Sequence, residues 1–296
     1  MPKEIENIAT ILQKNQFLVI VGPCSTDSTQ LALETASEAS NRGILMVRND
    51  VYKPRTSLRN SDGSRAFQGV REEGLGWFHL AWAANTIPST EIITPRHAEA
   101  VREVMGDDPR NNVFVWTGAR SGNTEVVEEM ASVFGNDPRV LWGTKSTRDF
   151  DTDLWIGMSD AALEGGIPDE QRVMIYRGEV ERSNRKNKKE RGTPNWEIAM
   201  EVKKELIDRE LRTGGERKSL KMLLDPSHLS VDPLEVMRHA TNGIKYENDG
   251  LQFDGLMIEV HPRPWESRTD PGINWEQYDE LNIQHLLEQR RQLVYS

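Results

Sequence analysis

Six positively charged side chains follow short apolar runs of the sequence, where they could bind an anionic substrate. They are Arg48, Lys53, Arg55, Arg120, Lys145 and Arg177. Guanidinium and ammonium groups bind phosphate and carboxylate groups. A salt bridge to a nearby acid is the alternative for any one of them. Six such cations in a chain of net charge -10 favour a binding site for a phosphorylated, acidic small molecule over six separate salt bridges.

A second set of side chains could bind a metal ion. It consists of Cys24, His228, Glu259 and Asp270. A thiolate, an imidazole and two carboxylates suit a divalent transition ion. The residues alone leave other roles open, because a lone cysteine is usually a small buried hydrophobic residue and a lone histidine is more often structural. Glu259 and His261 are two positions apart in a strand pattern, so we expect both to face the same, inner side.

Short apolar runs alternate with helical patterns and would position these side chains. The strands are predicted at Phe17–Gly22, Ile44–Arg48, Thr86–Ile92, Asn112–Gly118, Arg139–Thr144, Arg172–Tyr176, Leu220–Asp225 and Phe253–Val260. The helices are predicted at Asp27–Asn41, His97–Met105, Thr124–Phe134, Trp196–Leu211, Asp232–Ala240 and Asn282–Leu293. Nearly continuous apolar strands between helices indicate a parallel sheet that is covered on its outer side.

Eight strand–helix units in 296 residues fit an α/β fold with a single (β/α)8 barrel, the TIM barrel. An open, doubly wound sheet is the alternative. We expect residues 1–16 to form a short N-terminal extension and residues 17–296 to form the catalytic barrel. The carboxyl ends of barrel strands meet at one face, where enzymes of this architecture have their active sites. The cations and the candidate metal ligands follow predicted strands, so they should converge at that face.

Composition narrows the choice of partners and compartment. Cys24 is the only cysteine and cannot form an internal disulfide, which favours the reducing cytoplasm. The acidic net charge argues against a nucleic-acid partner. No apolar run approaches the roughly 20 residues of a membrane span. The densely charged segment Glu181–Arg191 is either a solvated loop or a mobile lid that attracts an anionic substrate.

Five short motifs occur in order along the chain, each at the end of a predicted strand. They read GPCS, KPRTS followed by FQG, TGAR, DPSH and EVHP. Together they resemble the 3-deoxy-D-arabino-heptulosonate 7-phosphate (DAHP) synthase family, type I, from about Leu18 to Asp270. The resemblance implies a (β/α)8 barrel that condenses phosphoenolpyruvate with D-erythrose 4-phosphate in a metal-dependent, aldol-type reaction. The products would be DAHP and phosphate, in the first step of the shikimate pathway of aromatic amino acid biosynthesis.

The resemblance also implies roles for individual residues. The family's metal ligands correspond to Cys24, His228, Glu259 and Asp270, for one divalent ion: Mn, Fe, Co or Zn. Its phosphoenolpyruvate contacts correspond to Arg48, Lys53, Arg120, Lys145 and Arg177, and its aldose phosphate contacts to Arg55, Thr56 and Ser57. Lys53 and His228 are expected to be catalytic. The simpler role of Lys53 is charge pairing with the substrate, and the alternative is that it also donates a proton. We also expect a homo-oligomer, either a dimer or a tetramer.

Three other functions remain open. Between Thr56 and Phe67 the chain carries SLRNSDGSRA, which is longer than the link expected before FQG and lies beside the predicted aldose site. The first alternative is 3-deoxy-D-manno-octulosonate 8-phosphate synthesis from arabinose 5-phosphate; KPRTS disfavours it, because that sister family usually has an Asn-containing motif there. The second is a specialised-pathway paralogue that uses a modified aldose. The third is a non-catalytic barrel that binds sugar phosphates. The full set of candidate metal ligands and cations argues against this alternative.

Overall fold

Eight parallel strands close into a barrel. The computed structural model describes residues 8–14, 17–54, 58–59, 62–147, 151–179, 193–212 and 220–294. Each barrel strand pairs in parallel with its two neighbours, and the first strand pairs with the last. The predicted TIM barrel is therefore confirmed, and the alternative of an open, doubly wound sheet is excluded.

The barrel strands lie where the apolar runs predicted them, to within one residue at their carboxyl ends. They are β1 (Leu18–Gly22), β2 (Met46–Arg48), β3 (Ile87–Ile92), β4 (Val113–Thr117), β5 (Val140–Lys145), β6 (Arg172–Tyr176), β7 (Lys221–Leu224) and β10 (Gly255–Glu259), while β8 (Glu247–Asn248) and β9 (Leu251–Gln252) form a separate antiparallel hairpin. Residues on these strands are almost all buried, as expected for strands that have helices outside and a packed interior.

Helices cover the outside and the amino-terminal end of the barrel. They are α1 (Ile8–Lys14), α2 (Thr29–Asn41), α3 (Phe78–Ala83), α4 (Pro95–Met105), α5 (Thr124–Ser132), α6 (Thr152–Glu164), α7 (Trp196–Arg212), α8 (Pro233–Lys245), α9 (Trp275–Glu280) and α10 (Ile283–Val294). All six predicted helices are present, with shifted ends. For example, α4 begins two residues early because Thr94 caps it and Pro95 occupies its first turn. Within the described ranges, no helix is long and apolar enough to span a membrane.

The amino-terminal end of the barrel is closed by α1. The inward-facing apolar residues of the strands form one cluster, which includes Ile20, Met46, Phe114, Leu141, Ile175, Leu223 and Met257. Ile8, Ile11 and Leu12 of α1 belong to the same cluster. The N–H of Ile8 donates to the carbonyl oxygen of Pro138, just before β5, at 3.2 Å. A substrate therefore has to reach the interior from the carboxyl end.

Candidate active site

Charged side chains fill the carboxyl end of the barrel interior. Side chains alternate between the two faces of a strand, so the inward position after Met46 is Arg48, and the one after Ile175 is Arg177. The same alternation leads inward to Glu91, Lys145, Asp225 and Glu259. All six of these charged residues are buried. Six strands therefore contribute three cations and three carboxylates to one enclosed space.

Three of the four predicted metal ligands lie together at this end. One ligand atom from each of Cys24, Glu259 and Asp270 lies within 4.8 Å of the other two. The Sγ of Cys24 is 3.6 Å from Oδ2 of Asp270. Sulfur and oxygen ligands bind a transition ion at about 2.0–2.3 Å, so three atoms at these separations could share one ion.

Two glycines allow the backbone to bring these groups together. Gly22 ends β1 with φ 146°, and a Cβ there would lie 2.6 Å from the carbonyl oxygen of Arg48. Gly272 has φ 67°, and a Cβ there would lie 2.5 Å from the carbonyl oxygen of Glu259. Only glycine accepts both the conformation and the close approach. The loop that follows β10 can therefore fold back along its own strand and carry Asp270 to the site.

The donor groups fit a divalent transition ion. Both carboxylate oxygens of Glu259 are buried, and neither has a hydrogen-bond partner within the described part of the chain. Arg48 offers partial compensation, with Nη2 3.3 Å from Oε1 of Glu259. Burial and the neighbouring Glu259 raise the pKa of the Cys24 thiol to about 12. A buried carboxylate and a thiol that is protonated without a metal are a ligand set that a cation would neutralise and satisfy.

His228, the fourth predicted ligand, is not part of this group. It lies in a short 3-10 helix after β7, and its Nδ1 is 2.9 Å from Oδ2 of Asp225. Burial lowers the pKa of His228 to about 3, although Asp225 opposes the shift, so the imidazole is neutral at neutral pH. A histidine that ligates a metal usually directs its second ring nitrogen to a carboxylate. The contact with Asp225 leaves Nε2 as the nitrogen that could ligate.

The predicted cations have acid partners inside the site. Lys145 Nζ donates to Oδ2 of Asp225 at 2.7 Å. Lys53 Nζ donates to the carbonyl oxygen of Cys24 at 2.8 Å and lies 3.8 Å from Oδ2 of Asp50. Burial opposes the charge of Lys53, but acidic neighbours, Asp50 among them, outweigh it and raise the pKa, so the ammonium group is charged. A cation of this site can therefore be paired with an acid and still lie where it could bind an anionic substrate, because both lie in the same enclosed space.

The other predicted site residues differ in their exposure, and some of them lie outside the described residues. Arg177 is buried, and its backbone N–H donates to Oγ of Ser146. Arg120 is exposed, and its Nη1 donates to the carbonyl oxygen of Pro54 at 3.3 Å, which joins the TGAR and KPRTS motifs. The predicted aldose contacts Arg55, Thr56 and Ser57, and the charged segment 181–191, lie outside the described residues.

His261, which was expected to face inward with Glu259, is buried just beyond the end of β10. β10 ends at Glu259, so the alternation of a strand does not extend to His261. Its Nδ1 instead accepts a hydrogen bond from the backbone N–H of Arg263 at 3.0 Å. The inward orientation of His261 therefore stays a prediction.

Two buried carboxylates of the site were not predicted. Asp50 accepts from the N–H of Glu91 at 3.1 Å through Oδ1, and its Oδ2 is 3.6 Å from Nη2 of Arg48. Burial first, and then Asp50, raise the pKa of Glu91 to about 7. The alternation along β3 from Ile87 would have predicted an inward Glu91. For Asp50, which follows the end of a strand, the sequence carries no comparable signal.

The long segment after KPRTS is attached to the site at both ends. The N–H of Lys53 donates to the carbonyl oxygen of Gln68 at 3.0 Å, and the N–H of Ala66 donates to that of Leu58. The guanidinium of Arg268 lies 4.0 Å from the ring centroid of Phe67. Arg268 is two residues from Asp270, so the segment meets the loop that carries this candidate metal ligand.

Comparison with known proteins agrees with the motifs. Residues 4–132 match the model of the DAHP synthetase I family. The phospho-2-dehydro-3-deoxyheptonate aldolase of Thermotoga maritima is 24% identical over 277 residues, which cover 90% of this chain and 68% of that protein. A sequence identity of 24% does not by itself assign an activity to this chain.

Solved structures show the same fold. A crystal structure of the phospho-2-dehydro-3-deoxyheptonate aldolase (DAHP synthase) of Thermotoga maritima superposes with a TM-score of 0.71 at 24% identity, covering 94% of this chain and 71% of that one. A truncated form of the 3-deoxy-D-arabino-heptulosonate 7-phosphate synthase of that organism gives a TM-score of 0.67 at 20% identity, covering 94% and 88%. In its ordered motifs, its closed barrel and the match of residues 4–132 to the family model, this chain is similar to the DAHP synthetase I family.

Proposed function

We propose that the protein condenses phosphoenolpyruvate with D-erythrose 4-phosphate in a metal-dependent reaction that yields DAHP and inorganic phosphate, the first step of the shikimate pathway. The observation that carries the proposal is the carboxyl end of the barrel, where buried cations lie beside Cys24, Glu259 and Asp270. The name of the Thermotoga maritima relative supports the same reaction. We further propose a cytoplasmic homo-oligomer, a dimer or a tetramer.

The buried cations suit phosphoenolpyruvate, which is a trianion or close to one at neutral pH. Arg48, Lys53, Lys145 and Arg177 are proposed to contact its phosphate and carboxylate groups, and the exposed Arg120 to close over it. Asp50 and Asp225 hold three of these cations, Arg48, Lys53 and Lys145, before the substrate arrives. Because the cations are already fixed, little reorganisation is needed when charge moves in the transition state.

In the proposed reaction a carbon–carbon bond forms between C3 of phosphoenolpyruvate and the aldehyde carbon, whose oxygen takes up a proton. Water adds at C2 and loses one proton. The bond between C2 and the ester oxygen of the phosphate then breaks, the C2 hydroxyl becomes the keto group as its proton passes to the leaving phosphate, and inorganic phosphate is released. The charged ammonium group of Lys53 is the proposed proton donor. Glu91, whose pKa is about 7, is suited to accept the proton that the water loses.

A divalent ion would be held by Cys24, Glu259 and Asp270, and Nε2 of His228 is the proposed fourth ligand. Ligation of the ion is the proposed catalytic role of His228. When bound, such an ion supplies Lewis acid chemistry that polarises the aldehyde carbonyl. Mn, Fe, Co and Zn all accept mixed sulfur, nitrogen and oxygen ligands. Ser227 supports the arrangement, because its Oγ accepts a hydrogen bond from the N–H of Glu259 at 2.8 Å.

The test is phosphate release from phosphoenolpyruvate by the purified protein, with a panel of divalent ions and either erythrose 4-phosphate or arabinose 5-phosphate. We expect turnover with the four-carbon sugar that EDTA abolishes and Cys24→Ser greatly reduces. Arg110→Gln, at a surface pair with Asp108, is the control and should keep full activity. Turnover with the five-carbon sugar alone would assign the sister reaction. No turnover with either would favour a modified aldose or a non-catalytic barrel.

A further inference from the structure

Trp116 lies directly beneath the proposed phosphoenolpyruvate site. It is fully buried in the barrel interior, above Phe114 on β4, with the two ring centroids 5.7 Å apart. The next inward position is Gly118, where a Cβ would lie 1.7 Å from Oε1 of Glu91. Because Gly118 has no side chain, the charged groups of the site can occupy the space above the indole ring.

Two cations from different strands contact the face of this indole. The Cζ of Arg48, on β2, is 5.5 Å from the ring centroid of Trp116, and the Nζ of Lys145, on β5, is 5.7 Å from it. Both distances fall within the roughly 6 Å over which a cation is attracted to an aromatic face. Burial strengthens this attraction, because the protein interior has a lower dielectric constant than water. Trp116 thus joins two cations that the proposed function assigns to one substrate.

Trp142 shows that burial alone does not explain this arrangement. It is on β5, it is also fully buried, and its Nε1, like that of Trp116, has no hydrogen-bond partner among the described residues. It faces outward, where it packs against Phe134 with ring centroids 6.4 Å apart. The two tryptophans thus share their burial and their unpaired N–H. Trp116 differs in its contacts with Arg48 and Lys145.

We propose that Trp116 is a positioning residue of the phosphoenolpyruvate site, whose indole face holds Arg48 and Lys145 at the separation that the phosphate and carboxylate groups require. This inference rests on the proposed function. It predicts that the ring matters more for binding of phosphoenolpyruvate than for binding of the metal ion, because both cations on its face are proposed substrate contacts, whereas only Arg48 also contacts a candidate ligand, Glu259.

The experiment compares phosphoenolpyruvate binding by calorimetry in Trp116→Phe, Trp116→Leu and the control Trp142→Phe. Loss of two buried cation contacts should raise the Kd of Trp116→Leu about tenfold, and the smaller ring of phenylalanine should restore part of the affinity, leaving about a threefold rise. Trp142→Phe should stay within about twofold of wild type. The KM for the aldose phosphate should be unchanged in all three, and the affinity for Mn²⁺ should change less than the affinity for phosphoenolpyruvate.

Tryptophan fluorescence gives a second readout, which does not depend on turnover. Phosphoenolpyruvate should change the emission of the wild type and of Trp142→Phe, and should leave that of Trp116→Phe unchanged. Circular dichroism confirms folding, and Trp116→Phe replaces Trp116→Leu if the latter does not fold. Failure of the wild type to bind phosphoenolpyruvate would refute the proposed function. Binding by the wild type with unchanged affinity in the Trp116 variants would overturn the role of Trp116 alone.

Discussion

At the scale of single residues, the candidate site consists of buried charges that neutralise one another. Lys145 is paired with Asp225, and Lys53 and Arg48 share Asp50. Removing one partner of a buried pair leaves the other charge uncompensated, which typically costs about 3–5 kcal/mol. These acids are therefore needed for stability as well as for positioning the cations before an anionic substrate binds.

Metal binding should depend on pH through Cys24. The thiol has a pKa of about 12 without a metal, so an ion that binds the thiolate must displace a proton. We expect the apparent affinity for Zn²⁺ to rise about tenfold per pH unit from this group between pH 6 and 8. Calorimetry in buffers of different ionisation enthalpy measures the protons released. The Cys24→Ser variant should bind Zn²⁺ more weakly and should release about one proton fewer on binding than the wild type. Equal proton release by the two proteins would contradict ligation by the thiolate.

Glu91 should make the stability of the metal-free protein depend on pH. Its pKa is about 7 in the folded protein and about 4.3 in an unfolded chain. The folded state therefore binds more protons between these values, and the free energy of unfolding falls as pH rises through them, by on the order of 2–4 kcal/mol. Glu91→Gln should remove this contribution.

Urea denaturation at pH 5 and pH 8 measures the effect. Glu99→Gln, at an exposed position of α4, is the matched control and should keep the wild-type difference between the two pH values. A Glu91→Gln protein with that same difference would show that the carboxyl group ionises at an ordinary pKa.

The sequence pointed to the strand-end cations and to three candidate ligands that lie together in the structure, because strand ends and short motifs can be recognised from neighbouring residues. It missed Asp50 and Glu91, since a single carboxylate near an apolar run does not reveal whether it will be buried. It also did not indicate that His228 turns one ring nitrogen to Asp225. That contact depends on how the 3-10 helix after β7 packs, which the local sequence does not determine.

At the scale of elements, all eight barrel strands were predictable because each is a short, nearly continuous apolar run. Amphipathic helices were predictable because their apolar residues recur at the spacing of a helical turn. The helix α6 was missed, because its buried residues, among them Trp155, Ile156 and Met158, follow one another too closely for a clear polar face. The helix α3 has only six residues, too few for a periodic pattern.

The turn at Gly272 should be more sensitive to substitution than other turns with positive φ. A left-handed conformation costs a non-glycine residue about 1–2 kcal/mol, which applies to Gly272→Ala and to Gly250→Ala alike. At Gly250 nothing lies within 4 Å of an added Cβ, whereas at Gly272 it would lie 2.5 Å from the backbone of Glu259. Gly272→Ala should therefore be the less stable variant and should also bind Mn²⁺ about tenfold more weakly, since Asp270 is displaced.

Thermal unfolding and metal titration of both variants provide the comparison. Gly250→Ala should keep wild-type metal affinity. Equal metal affinity in the two variants would show that the close approach of the loop to β10 is not what delivers Asp270.

At the scale of the whole molecule, the two ends of the barrel have separate roles. The amino-terminal end is sealed by apolar residues of α1, and the carboxyl end holds the buried charges. A change at the sealed end should therefore alter stability without altering chemistry.

Leu12→Ala tests this separation. Leu12 is 4% exposed, and shortening a buried leucine typically costs about 2–5 kcal/mol. Leu33→Ala is the control, because Leu33 is 50% exposed on α2 and its loss should cost less than about 0.5 kcal/mol. Denaturation should show the difference in stability, while kcat at 20 °C should match wild type in both variants. A loss of activity in folded Leu12→Ala protein would contradict the separation of the two ends.

The most direct test of the central claim follows C3 of phosphoenolpyruvate. The protein is incubated with Mn²⁺, erythrose 4-phosphate and phosphoenolpyruvate that carries ¹³C at C3, and the reaction is followed by NMR. We predict that the vinyl signal is replaced by the methylene signal of a seven-carbon keto acid, with one phosphate released for each new carbon–carbon bond. A vinyl signal that persists, or that is replaced by the methyl signal of pyruvate, would contradict condensation at this site.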